Sequence, residues 1–314
     1  MRRTLLIYMF AAAALLAASP PVAHAQRERD RDEYASRIDT TIAFSRNGTV
    51  ELQAYSGEII VSAWARDQVR VRATSERSAL RFEASPARLS LGLRSGRSGD
   101  TRFEVTVPVG VRVRANTSSG DIRITGSKAE VEARTQGGDI VVEDVGPTDI
   151  TAFSGDVGAS GINGELRINA LSGDVRIRQV VGNVEAKTVS GEIDLRDARS
   201  KYVRAGSTSG DITFDGTIDP DGRYELQTHS GDVELTLPSN VGAQLTLSTY
   251  SGTIDSDFPL TLEPNRPYGA ASSHGKSFTF TLGRGGARIT AESFSGDITI
   301  RSRGGPGGRN EGDR

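Results

Sequence analysis

Eight carboxylates recur in one local setting. Asp121, Asp139, Asp156, Asp174, Glu192, Asp211, Asp232 and Asp297 each follow a glycine, most of them within Ser-Gly-Asp. Stacked carboxylates could hold calcium, a hard cation that takes clustered oxygens. The calcium-binding nonapeptide repeat, however, places an aspartate every nine residues. Here the close steps are 17 to 21 residues, and Thr253 interrupts the series. The other reading is turn chemistry: glycine supplies a positive φ, and Asp or Ser accepts nearby backbone N–H groups. That reading is adopted, and no metal or cofactor is expected.

Nucleophilic chemistry is no better supported. His229 and His274 stand 45 residues apart, with no cysteine in the chain and no H-E-x-x-H pattern. A metal centre or a Ser-His-Asp triad would need such a constellation. The many serines are turn residues, since no G-x-S-x-G elbow or P-loop occurs. A carbohydrate-active β-helix lyase or hydrolase would need carboxylates, or an Arg/Lys base, in one cluster. The outward charges are dispersed, so no catalytic residue is assigned.

A different candidate surface lies two residues before each repeat glycine. It holds Tyr55, Phe153, Leu171, Val189, His229, Tyr250 and Phe294, beside Ser118, Gln136 and Thr208. The alternation points these side chains outward. An outward apolar stripe of Tyr55, Phe153, Leu171, Val189, Tyr250 and Phe294 can be a partner-binding face. It can equally be covered by the segment 263–277 or another flanking segment.

These positions are set by a repeat. The glycines are 57, 120, 138, 155, 173, 191, 210, 231, 252 and 296, with two long steps of 63 and 44 residues that read as about three and two repeat units. Two residues after them, Ile59, Ile122, Ile140, Val157, Val175, Ile193, Ile212, Val233, Ile254 and Ile298 are all β-branched. Three before them the residue is always Ala, Ser or Thr. Period two on both sides of a glycine means two half-buried strands joined by a tight turn. Identical columns are what stacked parallel coils require, because equivalent positions then lie about 4.8 Å apart. Gly146, Gly164 and Gly182 mark a second turn in each coil, with Val145, Ile162 and Val180 as corner fillers. The fold class read is all-β, a parallel β-solenoid (single-stranded and β-helix-like) of about 18–21-residue coils. Its N-terminal coils are irregular, and antiparallel pairing stays open at the irregular ends. Ser98-Gly99-Asp100 breaks the column pattern and reads as a loop between strands.

Residues 1–25 read as a signal peptide: Arg2 and Arg3, an apolar run from Leu5 to Ala18, and an Ala23-His24-Ala25 cleavage site. Its removal leaves 36 basic and 40 acidic residues, a formal charge of −4. That balance argues against nucleic acid as the partner. No later segment is apolar enough to span a bilayer. Residues 26–37 read as a charged flexible lead-in, 38–303 as the β-solenoid domain and 304–314 as a disordered tail.

The runs SSGDIRITG, TQGGDIVVED and LSGDVRIRQVVGNVEAKTVSGEIDL, with GEIIVSAWARDQVRVRAT and VPVGVRVRANTSSGDI, carry a family resemblance. Over about residues 38–303 the chain resembles the bacterial "putative adhesin" family of β-strand-repeat domains. The resemblance implies an exported or envelope-associated protein and supplies no catalytic residues. The resulting expectation is a non-enzymatic scaffold in the periplasm, on the cell surface or secreted, binding an envelope protein or polysaccharide. The alternatives are the carbohydrate-active enzyme and a calcium-stabilised scaffold.

Overall fold

The computed structural model describes residues 36–94, 99–259, 261–262 and 276–304. The sequence assignments of a signal peptide, of most of the lead-in and of nearly all the tail therefore lie outside the described residues. So do 263–275, most of the segment proposed as a cover for the stripe. The first strand is Ser36–Ala43 and the last is Ile298–Arg303. Among the described residues every regular element is a strand, and no helix is long and apolar enough to cross a membrane.

Each coil has a leading strand before its glycine and a trailing strand after it. Leu166–Ser172 and Val175–Arg178 flank Gly173, for example, and burial alternates in and out along both as far as Leu171 and Arg178. Leading strands pair in parallel with leading strands, and trailing with trailing. Ile150 lies opposite Ile168, which lies opposite Ala186. Val157 lies opposite Val175, which lies opposite Ile193. The β-branched column is buried throughout except at Ile254, which is partly buried. Val145, Ile162 and Val180 fill the far corner at 1% exposure or less. Three such apolar side chains per coil, at about 1.5–3 kcal/mol each, offset chain ordering only when neighbouring coils cover them.

The glycine column has two physical causes. Gly173 has φ +117°, and a Cβ placed there would meet the Gly155 carbonyl oxygen at 2.2 Å. Some of the hydroxyls three residues earlier engage the same carbonyl row, while Thr117 Oγ1 and Thr188 Oγ1 have no partner among the described residues. Thr228 Oγ1 donates to Gly210 O at 2.9 Å, Ser293 Oγ to Gly231 O at 2.9 Å and Thr249 Oγ1 to Gly296 O at 3.0 Å. At these positions the small column serves the glycine backbone of the adjacent coil.

At both ends the stack departs from chain order. The final leading strand, Ala287–Ser295, inserts between the second half of Ile212–Ser230 and Ala243–Ser251, parallel to both. Its trailing strand Ile298–Arg303 likewise lies between Val233–Pro238 and Ile254–Ser256. The order along the stack is therefore Gly231, Gly296, Gly252. At the other end, Thr49–Gln53 lies between Arg88–Leu93 and Arg112–Thr117. The 63-residue step holds one further parallel coil, and the remaining strands at this end pair antiparallel: Ser36–Ala43 with Gln68–Ser75, Gln68–Ser75 with Thr101–Pro108, and Leu80–Ala84 with Arg88–Leu93. Lys276–Leu282 closes the far end antiparallel to Ala243–Ser251. Gly57 pairs with Thr101, so Gly99 falls between strands, in keeping with the loop reading.

Candidate functional site

The carboxylate column proves to be a ladder between coils. Asp121 Oδ1 accepts the Asp139 amide at 2.9 Å, Asp139 that of Asp156 at 2.8 Å, and Asp156 that of Asp174 at 3.0 Å. Asp174 accepts the Glu192 amide at 3.1 Å, and Asp211 that of Asp232 at 2.8 Å. The inserted coil continues the series: Asp232 accepts the Asp297 amide at 2.8 Å, and Asp297 accepts the Thr253 amide at 2.7 Å. Thr253 is the last member of this row among the described residues, which place no further coil beyond it for a carboxylate to serve. The Asp174 amide, joined by Arg176, holds the Asp156 carboxyl below the usual carboxylate range. The Thr253 amide does the same for Asp297. Among the described residues no group of three His, Cys, Asp or Glu is arranged to hold a metal.

The stripe assembles on the outer face of the leading strands. Tyr55, Phe153, Val189, Tyr250 and Phe294 are between 44 and 61% exposed, and Leu171 is half-buried. The registers set Phe153, Leu171 and Val189 side by side. Thr208 follows, and then come His229, Phe294 and Tyr250 in stack order. Strand insertion makes this last group a ladder of three parallel rings. His229 stacks on Phe294 at 4.7 Å and 14°, and Phe294 on Tyr250 at 4.6 Å and 5°. Tyr55 stands apart, separated from Phe153 by Ser118 and Gln136. The stripe is thus two apolar runs and one outlier. His229, which the sequence reading left out of the binding set, is an integral part of the second run.

Two other rows flank it on the same face. The row six before each glycine is a charged zipper: Arg114 lies 3.9 Å from Glu51 and 3.2 Å from Glu132, and Arg167 lies 3.9 Å from Asp149 and 3.5 Å from Glu185. The row four before is neutral over much of its length. Between that row and the stripe runs a groove of about 720 Å³, lined by Gln53, Asn116, Arg134, Gln136, Phe153, Asn169 and Leu171 among others. A second groove of about 580 Å³ lies at the far corner, beside Gln179, Val181, Asp197, Arg199, Thr217 and Arg303. Neither groove brings two carboxylates together, which is what glycoside hydrolysis by paired acids would require.

A column of left-handed residues was missed in the sequence. Gly126, Asp144, Gly161, Gln179 and Asp197 follow one another at repeat spacing, all with positive φ. Two glycines in five positions left no recognisable pattern, and Gln179 at φ 55° carries no turn signal of its own.

No curated protein matches the chain in sequence. Three solved structures are similar to it. A "putative adhesin" from Bacteroides fragilis is 11% identical, with a TM-score of 0.41, covering 84% of this chain and 96% of that one. A "putative lipid binding protein" from Parabacteroides distasonis is 11% identical, with a TM-score of 0.32 and the same coverage. A "putative cell adhesion protein" from Clostridium sporogenes is 10% identical, with a TM-score of 0.23, covering 85% of this chain and 100% of that one. The family model for Toastrack DUF4097 matches residues 49–180 and again 131–301, most of the chain, and the chain belongs to that family.

Proposed function

We propose that this chain is a non-enzymatic, adhesin-like interaction scaffold, exported to the periplasm or the cell surface, that docks an envelope component along the stripe. The observation that carries the reading is the face itself. Two runs of exposed apolar side chains are held in register on one sheet whose core needs none of them. Contiguous apolar exposure of this kind marks interaction surfaces, and aromatic anchors carry most of the energy in them. Export is supported by the leader-like residues 1–25. A hydrolytic role is disfavoured by the groove linings, and a calcium role by the carboxylates, whose Oδ1 atoms already accept inter-coil amides.

The test is co-sedimentation of the purified mature protein with washed cell envelopes. A Phe153→Ser, Leu171→Ser, Val189→Ser triple variant removes no core side chain. It should keep its melting temperature and lose most of its sedimentation. Undiminished sedimentation of the folded variant refutes docking on the stripe. Unfolding of the variant shows that the stripe is packed under another segment.

A further inference from the structure

We infer that the groove beside Phe153 is a binding site for a neutral glycan chain lying along the stack axis. This rests on the scaffold reading above and names the chemistry of its ligand.

The rows around the groove differ in how their polar groups are used. The charged zipper next to it is satisfied internally, acid against base. Four side-chain amides in the groove, those of Gln53, Asn116, Gln136 and Asn169, make no hydrogen bond among the described residues. On the groove floor, Thr117 is 6% exposed and its Oγ1 has no partner either. The one charged side chain in the lining, Arg134, pairs with Glu132. No acid lines the groove.

Each carboxamide both donates and accepts. So does each sugar hydroxyl, and a row of amides therefore matches a polyhydroxylated chain without needing charge on either partner. The exposed Phe153 ring supplies an apolar platform at the groove wall for the C–H face of a pyranose. Gln53, Asn116 and Gln136 stand on three successive coils about 4.8 Å apart, and Asn169 lies two coils beyond Gln136 with Phe153 on the coil between, so the recognition groups are spread along the axis as the units of an extended polymer are. An extended peptide is the weaker fit. It would seek unpaired main-chain groups at a sheet edge, and this groove lies on the face of central strands paired on both sides.

The experiment titrates the mature protein with chitohexaose by calorimetry, and runs it through native gels containing mannan or dextran. Saturable binding to at least one of the three neutral glycans is expected. An Asn116→Ala, Gln136→Ala variant should weaken it by about tenfold or more, with an unchanged melting temperature. Phe153→Ala should weaken it separately. Binding to none of the three, binding that the folded variants leave unchanged, or equal retardation by polygalacturonate through charge would each overturn the inference. If sedimentation with envelopes still depends on Phe153, Leu171 and Val189 while no glycan binds, the ligand class is wrong and the docking face stands. If both fail, the scaffold reading falls as well.

Discussion

A methyl group at Gly173 would lie 2.2 Å from the Gly155 carbonyl oxygen, on a backbone already at φ +117°. Gly173→Ala should therefore destabilise the fold by about 1–3 kcal/mol, the usual cost of such a backbone conformation, and by more if the coils must separate. Gly158 is the control. Its Cβ would meet only Val141 Cγ2, at 3.9 Å, so Gly158→Ala should be neutral or slightly stabilising. Urea midpoints of the two variants check this, and equal midpoints would refute close coil contact. The core column makes a sharper demand. Ile193 is 1% exposed, and Ile193→Asp buries an unpaired carboxylate at a cost of several kcal/mol. Its thermal transition should fall far below that of the parent protein, and an unchanged transition would contradict the stacking. These columns were legible in the sequence because each position admits few residue types: Gly where a carbonyl approaches, β-branched groups in the core, small residues beneath the turn. Gln179 was illegible for the opposite reason, since its left-handed backbone is imposed by the neighbouring coils.

Between elements, the aspartate ladder ties successive turns from Asp121 to Glu192 and again from Asp211 to Thr253, whereas the sequence reading spoke only of nearby backbone N–H groups. Period and residue type reveal a recurring acceptor, but not which coil supplies the donor. The ladder carries a pH signature. Asp156 titrates below its ordinary range because it accepts the Asp174 amide and faces Arg176. A carboxyl with a depressed folded pKa contributes stability above its unfolded pKa and loses it as pH falls through the folded one. Melting temperature should thus drop as pH is lowered below about 4. Asp156→Asn keeps the Oδ1 acceptor and removes the titrating carboxylate, so its melting temperature should depend less on acid. An identical pH profile would refute the assignment. The inserted final coil was likewise hidden. The 44-residue step looked like two coils in series, and nothing local records that its second member slots beneath the first. Ending the chain at residue 286 should leave the Leu226 and Leu247 strands without the neighbour they share at Ala291. The loss should exceed that of a frayed end, lowering the melting temperature by well over about 4 °C. A drop of only a degree or two would contradict the insertion.

At the scale of the whole molecule, the stack converts a one-dimensional repeat into a surface with three parallel rows: a charged zipper, a largely neutral polar row and an apolar stripe. The zipper contributes little stability, as exposed ion pairs do, and within it Arg114 and Arg167 each stand between two acids. The stripe was legible as a column of outward apolar residues. Its division into two runs, and the ring ladder of His229, Phe294 and Tyr250, depend on stack order and could be seen only in three dimensions. The claim that function resides on this one face is tested most directly by site-specific photocrosslinking. A benzophenone side chain is placed at Leu171 on the stripe, or at the exposed Arg176 on the trailing-strand face of the same coil. After incubation with washed envelopes, the account predicts an adduct from position 171 and none from position 176. Equal adducts from both faces, or an adduct from position 176 alone, would contradict it.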